Sequence, residues 1–134
     1  MPAHSKATAA RNSGTKKKNS AGALAEGFVA GWLRHAGYQV VAINLRIGHL
    51  ELDIVARKGP LIAIVEVRSR GAGAWTSGFG SVDWKKRRRV RQAGERLWQR
   101  RYRLDPSVDR LRFDVASVTF TADGPKIEYA PAAF

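Results

Sequence analysis

The chain has 134 residues, room for one domain with a modest core, and its 44% hydrophobic and 26% charged residues make a globular rather than a disordered composition. It lacks cysteine, which excludes disulfides, thiolate catalysis and Cys-ligated zinc. No apolar run is long enough to span a bilayer or to act as a signal segment, so no membrane association and a cytoplasmic location are expected. With 24 Lys and Arg against 11 Asp and Glu the formal charge is +13, an excess that favours polyanions, most commonly nucleic acid, through counterion release.

Residues 1–19 form a small, polar, basic tail (Lys6, Arg11, Lys16, Lys17, Lys18) without periodicity, expected to be disordered. Its charge would strengthen binding to nucleic acid without reading sequence, unless it is only a solubilising extension or a misassigned start. A domain from 20 to 134 follows. Ser20 can cap a helix that runs to about Ala36 and stops at Gly37, with Leu24, Phe28, Trp32 and Leu33 as its apolar stripe. Spacing alone puts Glu26, near the middle of this helix, on the solvated side. Tyr38 to Ile43 is a short strand.

Asn44 to Arg70 is the chemical centre of the sequence. From Leu50 the residues alternate: Leu50, Leu52 and Ile54 face one way, Glu51, Asp53 and Val55 the other. Leu61 to Arg68, dense in Ile and Val, is the return strand. A Lys58-Gly59 loop would pair Arg57 with Pro60, Asp53 with Ile64 and Glu51 with Glu66. Asp53 and Glu66 would then be diagonal neighbours, about 7–8 Å apart, with Arg68 on the same face. Like charges across a ladder destabilise it, and only Arg68 offsets them locally. A hard divalent cation, Mg²⁺ or Mn²⁺, is the chemical reason to gather such acids; exposure beside arginines is the bland one.

The glycine-rich run after Arg70 is too flexible for regular structure, and its Trp75 and Phe79 either stack on bases or close over the edge of the core. Ser81 to Arg103 reads as a second helix with Val82, Val90, Ala93 and Leu97 inward. Its first half crowds Lys85, Lys86, Arg87, Arg88, Arg89 and Arg91, a pattern better suited to phosphates than to a mixed solvated face. Leu104 to Ser107 is a turn, Leu111 to Phe120 a strand, and Lys126 to Tyr129 a last short strand after the turn at Asp123-Gly124-Pro125. The order α-β-β-β-α-β-β describes an α/β domain with a mixed central sheet flanked by helices.

Read together, several short motifs are specific. They are A-E at Ala25-Glu26, N-x-R at Asn44–Arg46, E-L-D-I-V-A at Glu51–Ala56, V-E-V-R-x-R at Val65–Arg70, and F-G at Phe79-Gly80. They continue with V-x-x-x-K at Val82–Lys86, R-F-D-V at Arg112–Val115 and the terminal A-F. In their order and spacing the chain resembles the small bacterial YraN family, which is itself similar to archaeal Holliday-junction resolvases and the restriction-endonuclease-like fold.

The resemblance implies a metal-dependent phosphodiesterase with Asp53 as first acid, Glu66 as second, the Val67 carbonyl completing the inner shell around Mg²⁺ or Mn²⁺, and Glu26 as the helix acid. Glu51 is an auxiliary candidate, and Arg46, Arg70, Lys85, Lys86, Arg87 and Arg89 are candidate nucleic-acid contacts. Arg68 stands where the fold carries a lysine; it can clamp a phosphate but does not deprotonate, and Lys86 is the nearest candidate to supply the amine. Leu50 replaces the glycine usual before the E-x-D segment. A homodimer is also implied, since resolvase-like enzymes cut two phosphates symmetrically. Three functions follow: an endonuclease acting on DNA, with branched or recombination DNA as the substrate the resemblance implies; a nucleic-acid-binding protein on the same fold with little or no cleavage; and an adaptor whose basic helix binds an acidic protein surface.

Overall fold

A computed structural model describes residues 20–71 and 84–134. The tail, the aromatic candidates Trp75 and Phe79, and the expected helix start at Ser81 and Val82 lie outside them. The elements are α1 (Ser20–His35), β1 (Gln39–Ile47), β2 (Leu50–Lys58), β3 (Leu61–Gly71), α2 (Trp84–Leu97), β4 (Arg110–Thr121) and β5 (Gly124–Ala130), in the expected order. α2 continues into one π turn, Trp98–Tyr102. The strands form one mixed sheet in the order β1-β2-β3-β4-β5, compatible with a restriction-endonuclease-like core. Only β3 and β4 are parallel, and α2 lies in the crossover that a parallel pair requires.

Both faces of the sheet are covered, which is why β3 reads as an unbroken apolar run rather than an alternating one. Ile62 and Ile64 pack with Val90, Ala93 and Leu97 of α2, while Ala63 and Val65 pack with Ala25, Val29 and Leu33 of α1. The buried stripe of α1 is therefore Ala25, Val29, Ala30 and Leu33, not the expected set led by Leu24, Phe28 and Trp32. Small residues let the helix approach the sheet closely, which turns the three large side chains to its flank, 37–56% exposed. There Phe28 meets Phe120 edge-on and Trp32 stacks on Tyr129 at 4.6 Å. The helix ends as expected: Gly37 takes φ 95, its N–H donates to the Arg34 carbonyl, and the Tyr38 N–H donates to that of Leu33.

Two motifs of the C-terminal half hold the layers together. Gly94 of α2 sits directly on Phe113, where a Cβ would stand only 2.7 Å from the ring. Phe134 lies against the same ring, 5.5 Å between centroids, and the Ala133 N–H donates to the Phe113 carbonyl. On the α1 face, Asp114 is fully buried and accepts hydrogen bonds from Arg112 Nε and Nη2, both at 2.8 Å, from the Tyr129 hydroxyl and from the Ala132 N–H. Arg112 Nη2 also donates to the Tyr38 hydroxyl. Burial and the neighbouring Asp114 carboxylate hold the Tyr129 hydroxyl protonated, well above the usual phenol range. The network thus ties β4, β5 and the start of β1 through one carboxylate.

Removing that acceptor strands several donors at once. Asp114→Ala should cost about 3 kcal/mol or more in urea unfolding, because the partners lose both their acceptor and their counter-charge. Gly94→Ala should cost about 1–3 kcal/mol by overpacking against Phe113. A midpoint unchanged within error for either variant would refute the corresponding contact.

Candidate active site

The site is set by the β2–β3 hairpin. Its loop is Gly59-Pro60 rather than Lys58-Gly59, because Lys58 pairs with Leu61. Gly59 takes φ 58 at the first loop position, as a II′ hairpin requires, and proline falls where no N–H is needed. The register moves accordingly: Arg57 pairs with Ile62 and Ile54 with Val65, the last rung of the ladder. Asp53 and Glu66 are the next residues outward, past the end of the ladder, and the register that would set them diagonally is overturned. Glu51 is not Glu66's partner; it is exposed and pairs with Arg46 of β1.

The expected alternation along β2 also breaks. Leu50 and Leu52 share the α2-side core with Val55, whereas Ile54 and Ala56 belong to the α1 side. The change of phase falls at Asp53, across from Asn44, whose φ of 55 is tolerated because asparagine visits the left-handed region more readily than most residues. It turns the tip of the β1–β2 hairpin over the end of α2. Asn44 also donates its side-chain N–H to Glu26 Oε1 at 3.1 Å. Glu26 is 5% exposed, so its solvated placement is overturned: with Ala25, Val29, Ala30 and Leu33 as the buried stripe, helical spacing itself puts Glu26 on the sheet side.

Beyond the last rung the strands are held by a side chain. The Val67 N–H donates to Asp53 Oδ2 at 2.9 Å. The N–H and C=O of one strand residue leave the chain on the same side, so the Val67 carbonyl also faces the gap beside Asp53. Asp53 and Glu66 are 8% and 2% exposed, and their carboxyls are close enough to interact. Burial, and then the Asp53 charge, push the Glu66 carboxyl up to about 7, with the Lys86 ammonium pulling the other way. Lys86 Nζ, from the first turn of α2, lies 2.6 Å from Glu66 Oε2. Among the described residues that ammonium is the partner of Oε2, and no other donor reaches it.

These groups form the floor of an open cleft of roughly 340 Å³, lined also by His49, Leu50, Glu51, Arg89 and Val90. Two carboxylates, one of them with an oxygen held by the Lys86 ammonium alone, and a backbone carbonyl are hard oxygen ligands that fit Mg²⁺ or Mn²⁺. Among the described residues no three acid or histidine side chains converge, so an octahedral ion would take its remaining ligands from water and substrate, as Mg²⁺ usually does.

The other sequence candidates are spread more widely. Arg68 is half-buried on β3, two residues beyond Glu66 on the same strand face. Arg46 is exposed beside Glu51, Arg89 lines the cleft, and Lys85 is exposed one residue from Lys86. Arg87 turns away, with its guanidinium 5.7 Å from the centre of the Phe134 ring. Arg70 is half-buried near the end of β3. His49, at the β1–β2 turn, is the cleft residue that the sequence reading missed. The signal was the Gly48-His49 pair between two apolar runs, a two-residue hairpin loop with Ile47 paired to Leu50.

A family model described as "Uncharacterised protein family UPF0102" matches residues 25–118 of the chain. A UPF0102 protein of Sorangium cellulosum is 49% identical over 118 residues, 87% of this chain and 82% of the relative. Others include one from Porphyromonas gingivalis, 37% identical over 87% of this chain and 84% of its own length, and one from Geobacter metallireducens, 34% identical over 86% and 92%. The family match spans Glu26, Asp53, Glu66, Arg68 and Lys86, and its description states no activity.

The buried acid pair sets a pH dependence of stability. Below pH 4.5 Glu66 is protonated in both the folded and unfolded chain; between 4.5 and about 7 only the folded chain keeps the proton, so stability falls as pH rises through that window and is flat above it. The metal-free protein should lose at most about 3 kcal/mol from this group across the window, and Glu66→Gln should flatten the profile. Urea unfolding at half-unit pH steps measures it. An identical slope in the variant would place the titrating group elsewhere.

Proposed function

The chain belongs to the UPF0102 family, which is the YraN family its motifs resemble, and for this member we propose a Mg²⁺- or Mn²⁺-dependent endonuclease that hydrolyses phosphodiester bonds in DNA. The observation that carries the reading is the buried Asp53–Glu66 pair at the end of the β2–β3 ladder, with an ammonium group on Glu66 and an open cleft above it. Two adjacent buried acids weaken the fold, and a nearby solvated surface would hold them at less cost. A bound divalent cation would lower the pKa of a water and offset charge on the scissile phosphate.

The chain's own groups have separate tasks in this reading. The Val67 N–H fixes the orientation of Asp53, so the carboxylate is pre-set rather than recruited. Lys86 brings the amine that the fold carries on the strand at the position of Arg68, reaching the acid from α2 instead. Arg68 can hold phosphate oxygens but cannot take a proton. Arg89 in the cleft, with Arg46 and Lys85 exposed nearby, offers cations to the flanking backbone, and binding through them is insensitive to sequence. Symmetric cuts across a branch, the substrate type of the resolvases that the motifs resemble, would need two such sites and hence a homodimer.

The second reading, a nucleic-acid-binding protein that cuts little or not at all, is favoured by one observation, Arg68 in the lysine position. The two are separated by incubating the protein in excess over branched, duplex and single-stranded DNA, with and without Mn²⁺. The wild type should cut slowly and only with metal, and Asp53→Asn should reduce the rate by about 100-fold or more while DNA affinity is kept. Binding with no metal-dependent cutting of any substrate would sink the endonuclease and leave the binding protein.

A further inference from the structure

Lys86 stands where it obstructs the reaction as well as serving it. Its ammonium is 2.6 Å from Glu66 Oε2 and is the partner of that oxygen, the one a divalent cation would take. Glu66 cannot move away to serve both, since it is 2% exposed on a central strand hydrogen-bonded along β4. The Lys86 side chain is 46% exposed, on a four-carbon stem rooted at the start of α2, so the lysine is the mobile partner. A dication and an ammonium on one buried oxygen would lie within about 4 Å of each other and repel strongly in that low-dielectric pocket.

Resting on the metal reading above, we propose that Lys86 is a resident cation that competes with the divalent ion for Glu66 and is released toward the mouth of the cleft when the ion binds. The released ammonium then lies beside Arg89, where a phosphodiester enters. Metal and phosphate each favour the lysine's departure from Glu66, so each should promote binding of the other, and the coupling is reciprocal. In the metal-free chain the same contact offsets part of the charge of the buried acids, so the empty site is held together without an ion.

The test measures Mn²⁺ affinity by calorimetry at pH 8 on the wild type, Lys86→Met, Lys86→Arg and Lys85→Met. Lys86→Met should bind Mn²⁺ roughly three- to tenfold tighter than the wild type, the range for a half-exposed ion pair that no longer has to be broken. Lys86→Arg, which keeps a competing charge, should stay near the wild type. Lys85→Met removes the same charge one residue away and should change affinity less than twofold if contact, not general potential, matters. In parallel, Mg²⁺ should raise the rate at which acetic anhydride labels Lys86, read by mass spectrometry, without raising that of Lys85. An affinity for Mn²⁺ that is unchanged or weaker in Lys86→Met overturns the competition. Absence of Mn²⁺ binding to all four proteins overturns the metal reading itself, and the competition with it.

Discussion

Everything specific to this chain turns on two carboxylates held side by side out of water. Asp53 and Glu66 are buried at the point where β2 and β3 stop pairing, and each has a different compensation: a backbone N–H for Asp53, an ammonium for Glu66. Neither is enough to leave both acids comfortably ionised, which is why burial wins at Glu66 and its proton is held to about pH 7. A fold selected only for stability would replace such a pair with apolar residues, as often happens at no loss. The conflict between local electrostatics and the surrounding packing is what makes the place the candidate site.

The two faces of the sheet carry different kinds of buried charge. On the α1 face Asp114 accepts from a bidentate arginine, a tyrosine and a backbone N–H, so its lone pairs are largely occupied and it acts as a structural tie. On the α2 face the acids are incompletely satisfied and open to a cleft. The same kind of group is thus a structural tie on one side and an exposed-to-cleft acid on the other, and the difference lies in how many donors surround it. Glu26, hydrogen-bonded to Asn44, joins the helix of the first face to the hairpin that carries the second.

Much of this was legible in the sequence. The unbroken apolar run of β3, the Gly37 stop of α1 and the basic stretch of α2 gave the element order, because each is a local property of the chain. The register of β2 against β3 was read one step away, since Lys58-Gly59 and Gly59-Pro60 are both plausible two-residue loops and only the closed sheet chooses. The buried stripe of α1 was misjudged because size was taken for burial: Ala25 and Ala30 face the sheet, and Leu24, Phe28 and Trp32 do not. The misplacement of Glu26 follows from the same error, since it lies on the stripe of Val29, Ala30 and Leu33, whereas His49 reaches the cleft through the fold of the hairpin tip.

The short turn between β2 and β3 gains a wider meaning from its distance to the acids. Five rungs separate Lys58 from Asp53, about 17 Å along the strand. Substituting the loop residues leaves the carboxylates where they are as long as the loop keeps its length. A one-residue slip of β3 against β2 would turn Glu66 to the opposite face of the sheet and dissolve the pair without touching it. The acids are thus guarded at a distance, by a turn whose length fixes how two strands align.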